Sequence, residues 1–327
     1  MENLNIIILA AGIGKRMHSA LPKVLHLLAG KSLLSHVLDT ADALSPQKVL
    51  EVYGHGNETV PDAIGNDQLI WVKQEPQLGT GHALMQALPH LDKKGMTLVL
   101  YGDVPLIRFK TLQDLISAGS AEKLALLTLA LDEPTGYGRI VRDTETKNVL
   151  AIVEEKDTSI DQQKIHEINT GIMVVPNVNL HEWLPKLENK NVQKEYYLTD
   201  IVAMAVKAGK RIETAHPSNA WEVMGVNSKV QLAALERTYQ ENFANKLLEQ
   251  GVTLTDPSRI DVRGQLSCGK DVEIDINCIF EGEVKIGEGV RIGAHSILKN
   301  VNVETGTTIY PFSLIENADI GRNCRIG

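Results

Sequence analysis

Asn5-Ile6-Ile7-Ile8-Leu9-Ala10-Ala11-Gly12-Ile13-Gly14-Lys15-Arg16-Met17, closed by Leu21-Pro22-Lys23, is the stretch that decides the fold. Four apolar residues in a row, three of them β-branched, read as a strand buried in a parallel sheet. The strand runs into a glycine-bearing turn, where missing side chains let backbone N–H groups approach a phosphate. Lys15, Arg16 and Lys23 add cations within a few residues of that turn. Together these parts describe a polyphosphate cradle, although the glycines alone fit an ordinary turn with solvated cations equally well. Two familiar motifs are excluded. No Gly-Lys-Ser/Thr follows Gly12 at Walker A spacing, and Met17 stands where the dinucleotide fingerprint needs a small residue.

Outward from this stretch, short apolar strands alternate with amphipathic helices as far as about residue 227. Ser32 is expected to begin a helix with Leu33, Leu34, Val37, Leu38, Ala41 and Leu44 on one face. Strands are expected at Val49 to Tyr53, Leu69 to Val72, Leu98 to Tyr101 and Leu124 to Leu131. Such alternation predicts an α/β domain, a Rossmann-like and mostly parallel sheet with helices on both faces. Ligands in such sheets sit beyond the carboxyl ends of the strands, which points to Gly12, Gln74 and Asp103. Ser228-Lys229-Val230-Gln231 matches a capping box, and Leu232, Leu235, Tyr239, Phe243 and Leu247 then recur at spacings of three and four up to Gly251. This reads as a long connecting helix.

Past Gly251 the rhythm changes. Ile274, Phe280, Ile286, Ile292 and Leu298 fall six apart, and Val303, Ile309, Ile315, Ile320 and Ile326 continue with two steps of five. A six-residue period predicts a parallel β-helix whose coils bury their apolar faces against one another. The expected organisation is residues 1–227 as the α/β domain, 228–250 as a linker helix and 251–327 as a short left-handed β-helix.

The chain has 327 residues, 43% hydrophobic and 23% charged, enough for two domains with separate cores. A net charge of −8 argues against a nucleic-acid surface or an anionic membrane, while leaving room for a local basic pocket. No apolar run approaches a membrane span, and the apolar run near the start is too short for a signal core. A cytoplasmic protein is expected. Cys268, Cys278 and Cys324 have no metal-ligand spacing and read as small buried fillers.

Tyr101-Gly102-Asp103-Val104-Pro105 ends a strand with a carboxylate, suited to a magnesium ion that also binds substrate phosphates. Strand-end aspartates are also common turn formers. Asn227 offers a neutral oxygen just before the capping box. Gln74 precedes the glycine-rich Gln77-Leu78-Gly79-Thr80-Gly81-His82-Ala83, and an amide can read a base edge because it both donates and accepts. His82 is expected to belong to a packed helix rather than to act as a base. Glu154-Glu155-Lys156 has the look of a solvated charge run.

The Leu-Ala-Ala-Gly-x-Gly-x-Arg-Met…Pro-Lys signature resembles the sugar-nucleotide nucleotidyltransferases. Added to it are the Gln77–Ala83 motif, Tyr101-Gly102-Asp103-Val104-Pro105-Leu106, Pro134-Thr135-Gly136-Tyr137-Gly138-Arg139-Ile140, Ile168-Asn169-Thr170-Gly171, Glu195-Tyr196-Tyr197-Leu198-Thr199-Asp200, the helix and the hexads. With these, the whole chain resembles the bacterial bifunctional N-acetylglucosamine-1-phosphate uridylyltransferase/glucosamine-1-phosphate acetyltransferases.

The resemblance implies that Leu9, Ala10, Ala11 and Gly12 contact the nucleotide, with Arg16 and Lys23 on its phosphates. It implies that Gln74, Gly79 and Thr80 read uracil, and that Asp103 and Asn227 hold Mg2+. Tyr101 and Gly102 would line the same cleft, and Gly138, Glu154, Asn169, Tyr197 and Thr199 would surround the sugar. The implied reaction joins UTP and N-acetylglucosamine 1-phosphate into UDP-N-acetylglucosamine and pyrophosphate, feeding peptidoglycan and lipopolysaccharide precursors. The rivals are a relative with another sugar or base, a non-catalytic sugar-nucleotide sensor, and an acetyltransferase acting through the β-helix. The hexads stop at Ile326-Gly327, so the family's later coils and its acetyl transfer are expected to be missing, while a homotrimer through the β-helix is still expected.

Overall fold

A computed structural model describes residues 3–54, 56 and 58–327 of the chain. They form two compact units, one of residues up to Leu25 together with Leu33–Asn227, the other of His26–Ser32 together with Ser228–Gly327.

The first unit is built on a nine-stranded sheet. Its main path runs Arg211–Ala215, Lys123–Ala130, Glu167–Pro176, Met96–Tyr101, Leu4–Leu9, Lys48–Gly54, Ile70–Gln74. Leu4–Leu9 is buried along its whole length and pairs in parallel with a neighbour on each side. Successive side chains of a strand point to opposite faces. Accordingly Ile6 and Ile8 pack with Val37, Leu38 and Ala41 of the helix Leu33–Ala43, whereas Ile7 and Leu9 pack with Ala83 and Leu84 of the helix Thr80–Ala87. The continuous apolar run at the start of the chain is thus explained by two covered faces.

Two details depart from the periodicity. Ser32 is not the first residue of its helix; it ends a two-residue strand that pairs with Leu27 in a hairpin, and the helix starts at Leu33. Within the sheet, Glu167–Pro176 runs antiparallel to both Met96–Tyr101 and Lys123–Ala130. Its register shifts between Asn169 and Met173, where Gly171 has φ +85°. A side chain there would sit 2.6 Å from the Tyr101 ring, so glycine is required both by backbone conformation and by space.

The second unit contains two parallel sheets, one of five short strands and one of four longer strands. Successive strands pair coil by coil, as Ile260–Cys268 with Cys278–Ile286. Ile274, Phe280, Ile286, Ile292, Leu298, Val303, Ile309 and Ile320 are buried in one core. The first step of five has a local cause. Leu298 and Val303 pair with Phe280 and Ile286, so the register shifts between Glu281 and Val284, and the earlier coil carries the extra residue at Gly282–Glu283 as a bulge.

The helix Lys229–Glu249 opens with the Ser228 hydroxyl accepting from Gln231 N at 3.2 Å and is followed by Gly251 at φ +91°. Leu235, Ala244 and Leu247 are buried, and Leu232, Tyr239 and Phe243 half-buried. Gln240, invisible to an apolar pattern, is also buried. Its Nε2 donates to Val262 O at 2.9 Å and its Oε1 accepts from Val262 N at 2.8 Å, so the side chain imitates a neighbouring strand. The hairpin at residues 27–32 joins this unit through Ala29 N, which donates to Glu236 Oε2 at 2.7 Å, and through Gly30 against the Arg263 backbone.

Cys278 is buried, Cys268 and Cys324 are half-buried, and all three are free thiols. Burial pushes the Cys268 thiol up to about 12 and the Cys278 thiol up to about 11, which keeps both protonated and unreactive. Among the described residues no helix is long and apolar enough to cross a membrane.

Candidate active site

At the carboxyl ends of the central strands of the first unit lies a cavity of about 510 Å3. It is lined by Leu9, Ala10, Ala11, Gly12, Ile13, Gly14 and Lys15 of the first loop, by Gln74, Gln77, Gly79, Thr80 and Ala83, and by Lys23, Tyr101 and Asp103. The loop after the first strand keeps its shape through the backbone: Ala10 N donates to Val52 O at 2.9 Å and Gly102 N to Leu9 O at 3.0 Å. Gly14 has φ +66°, and a side chain there would lie 2.8 Å from Lys23 Cβ. The glycine therefore lets the lysine run beneath the loop. Arg16 is on the exposed turn Lys15–Met17 and does not line the cavity.

Lys23 carries its ammonium to Asp103, with which it forms an ion pair and hydrogen bond, and donates to Asn227 Oδ1 at 3.0 Å. Two oxygen donors separated by 124 residues in sequence, one a carboxylate and one a neutral amide, thus converge on a single positive point charge. The backbone explains the convergence: Val226 N donates to Asp103 O at 2.9 Å, so the segment bearing Asn227 is stitched to the strand end bearing Asp103. Among the described residues no cluster of three or more His, Cys, Asp or Glu could form a closed metal cage. A hard cation held by one carboxylate, one amide oxygen and the oxygens of a bound polyphosphate fits such a pair.

The Gln77–Ala83 loop is joined to a distant motif. Gly79 has φ +103°, and a side chain there would meet Tyr196 O at 2.8 Å. Gly81 N donates to Tyr196 O and Tyr196 N to Leu78 O, both at 2.8 Å, while Leu198 N donates to the Thr80 hydroxyl at 3.2 Å. These contacts account for the glycines of the Gln77–Ala83 motif and bring Glu195 to the cavity wall. Gln77 reaches the first loop, its Nε2 donating to Ala11 O at 2.5 Å. Neither Gln77 nor Glu195 was singled out by the sequence, whose local pattern says nothing about loops meeting across a cleft.

Gly138 pairs with Asn169 across neighbouring strands. A side chain on Gly138 would lie 3.5 Å from Glu154 Oε2, and the Thr199 hydroxyl donates to Glu154 Oε1 at 2.9 Å. Gly138, Glu154, Asn169 and Thr199 are thereby gathered in one place. The buried Arg139 guanidinium pairs with Glu155 at 2.7 Å and holds the Glu154 segment there, so this is not a solvated charge run. Burial raises the Glu154 carboxyl above its usual range against the opposing Thr199 hydrogen bond. Burial first, then the charges of Glu154 and Asp103, hold the Tyr101 phenol protonated. Tyr197 turns its hydroxyl to Asp157 Oδ2 at 3.0 Å and lines a separate depression with Glu154, Asp157 and Asp200.

A mostly parallel sheet with a bare glycine loop, a lysine and a strand-end carboxylate around one cleft defines a nucleotidyltransferase. Residues 6–159 match the MobA-like NTP transferase domain, and residues 267–300 match the bacterial transferase hexapeptide (six repeats). The fold resembles a nucleotidyl transferase from Methanothermobacter (TM-score 0.53, 15% identity, 74% of this chain and 100% of that one). It also resembles a putative glucose-1-phosphate thymidylyltransferase from Bacillus anthracis (TM-score 0.57, 17% identity, 71% and 94%). At the sequence level the chain is 66% identical over its whole length to the bifunctional protein GlmU of Nitrosospira multiformis, covering 71% of that protein. It is 56% identical over 99% of its length to the same protein of Ralstonia nicotianae, again covering 71%. The chain belongs to the bifunctional GlmU family.

Proposed function

We propose that the cavity of the first unit transfers a uridylyl group from UTP to N-acetylglucosamine 1-phosphate, giving UDP-N-acetylglucosamine and pyrophosphate. The observation that carries this reading is the convergence of Asp103 and Asn227 on the Lys23 ammonium beside the glycine loop. A phosphate oxygen of the sugar phosphate attacks the α-phosphorus of UTP, forming one P–O bond as the bond to the departing pyrophosphate breaks. No serine, cysteine or histidine in the cavity wall is needed as a nucleophile, so direct displacement suffices.

Catalysis is then positioning and neutralisation of charge. Leu9, Ala10, Ala11 and Gly12 present backbone to the nucleotide, Lys23 meets its phosphates, and Gln74, Gly79 and Thr80 face the base. Gly138, Glu154, Asn169 and Thr199, with Tyr197, Tyr101 and Gly102 nearby, receive the sugar. Asp103 and Asn227 would hold magnesium, which when bound offsets negative charge on the phosphates. Arg16 reaches the phosphates only if its exposed turn closes over them.

We assign catalysis to residues 1–227, the link to 228–250 and the β-helix to 251–327, with the reaction in the cytoplasm. Assembly as a homotrimer through the β-helix is supported by Phe312 and Leu314, exposed by 78% and 68%, on its surface. Release of pyrophosphate from UTP across a panel of sugar 1-phosphates tests the reaction. Preference for N-acetylglucosamine 1-phosphate is expected, and equal or faster turnover of glucose 1-phosphate would overturn it.

A further inference from the structure

We propose that His82 is a positioning residue for base choice: its Nδ1 orients the Gln74 carboxamide so that the amide oxygen faces the base. The proposal rests on the reading above, in which Gln74 faces the base of UTP.

Gln74 ends the strand Ile70–Gln74 and is 2% exposed, so its amide must be satisfied inside the protein. Its Nε2 lies 2.9 Å from Gly79 O and 3.1 Å from His82 Nδ1. A primary amide nitrogen has two hydrogens. One goes to the carbonyl of Gly79 and the other to the imidazole, and Oε1 is the group left for a ligand. Turning the amide over would set Oε1 against the Gly79 carbonyl and against an imidazole lone pair, two acceptor–acceptor contacts at once.

The imidazole can accept at Nδ1 only in the tautomer protonated at Nε2. The Gly79 carbonyl supplies the reason for that tautomer: it fixes the nitrogen end of Gln74, so the ring nitrogen facing that end must accept. On the other side of the ring the Gln86 amide nitrogen is placed 3.1 Å from His82 Nε2, one helical turn along Thr80–Ala87, and with Nε2 protonated we assign that amide turned over, its oxygen accepting the ring N–H. Burial holds the ring below the usual histidine range and so keeps it neutral, and the ring rests on Tyr196 with centroids 6.2 Å apart. Gly79 O and His82 Nδ1 are thus the two acceptors that hold the Gln74 nitrogen inward.

The chemistry separates two pyrimidines. Uracil presents an N3–H donor between two carbonyls, whereas cytosine presents an N3 lone pair beside an amino group. At N3, an outward Oε1 accepts from uracil and meets a lone pair on cytosine, whereas an outward NH2 meets the N3–H of uracil and donates to cytosine. His82 therefore touches no substrate atom and yet sets the sign of the base contact.

The test measures kcat/KM for UTP and for CTP with N-acetylglucosamine 1-phosphate, together with the melting temperature, in His82→Leu, His82→Asn and Gln74→Ala. His82→Leu removes the acceptor and is expected to lower the UTP:CTP ratio by about 10-fold, mainly through KM for UTP. His82→Asn carries an oxygen near the Nδ1 position and is expected to restore most of the ratio at a similar melting temperature. Should His82→Leu not fold, His82→Gln serves as the loss variant, because its amide reaches the Nε2 position and leaves Gln74 unmatched. If Gln74→Ala loses discrimination while the His82 loss variant keeps it, Gln74 reads the base without His82 and the proposal falls alone. If Gln74→Ala itself keeps the wild-type ratio, Gln74 is not the base reader, and the proposal falls together with the reading beneath it. A kcat loss equal for both nucleotides, with the ratio unchanged, would also overturn it.

Discussion

Lys23 lays its ammonium on the carboxylate of Asp103 while Asn227 accepts from the same nitrogen at 3.0 Å. The side chains of Lys23 and Asp103 are only 11% and 15% exposed, so the pair is poorly screened by solvent. A cation already stands where the two oxygen donors meet. A divalent ion held by both oxygens would displace the ammonium, and in the proposed reaction the freed charge would serve the phosphates of the nucleotide.

Lys23→Met is therefore expected to have opposite effects on two ligands. Binding of Mn2+ to the free protein, followed by water-proton relaxation, should tighten by up to about 10-fold, or about 1.4 kcal/mol. Binding of UTP in the absence of metal, followed by calorimetry, should weaken. Parallel loss of both affinities would show that Lys23 and the metal do not compete.

Asp103→Asn keeps the shape and removes the charge. Turnover is expected to fall at least about 100-fold, since the charge offered to the transferring phosphate is lost. The melting temperature should move by only a few degrees, because the amide oxygen that replaces the carboxylate can still accept from Lys23. Near-normal turnover at saturating magnesium would exclude Asp103 from the site.

Glu51, in the middle of the strand Lys48–Gly54, is 0% exposed, and among the described residues neither carboxyl oxygen has a hydrogen-bond partner. Burial raises its pKa from 4.5 to about 8. In the unfolded chain the group loses its proton near 4.5, whereas in the native protein it holds on until about 8. The native state therefore binds the extra proton between these values, and stability falls as pH rises through that window, then levels above it. Glu51→Met should raise the melting temperature at pH 8 by several degrees and much less at pH 5. Differential scanning calorimetry of both proteins at the two pH values checks this; an equal gain at each pH would mean that packing, not ionisation, is responsible.

Gln240→Met removes the side chain that pairs with both backbone groups of Val262. A buried N–H and C=O would be left without partners, at a cost of about 1–3 kcal/mol. Chemical unfolding should show that loss, and hydrogen exchange at Val262 should speed up. Unchanged exchange there would show that the backbone finds another partner.

The sheet's first strand, the glycine loop, Asp103 and the hexads were legible because each is a local pattern with a physical period or a strand-end position. Three features were not. The antiparallel passage of Glu167–Pro176 depends on which strands it meets, and apolar runs in either direction look alike. Gln77 and Glu195 reach the cavity from loops joined across the cleft. His82 lies, as its sequence context predicts, on a packed helix, and its half-buried ring lies near Tyr196. Only the two amides at its nitrogens, one eight residues back and one four ahead, reveal its other contacts.

The joining of residues 78–81 to 196–198 by three backbone-anchored hydrogen bonds has a consequence for engineering. The two segments are separate in the gene but form one exchangeable cassette in the folded protein. A chimaera whose first segment lacks Gly79, Gly81 or the Thr80 hydroxyl would clash with the native Tyr196 or lose the bond to Leu198. Such exchanges should succeed when the pair travels together.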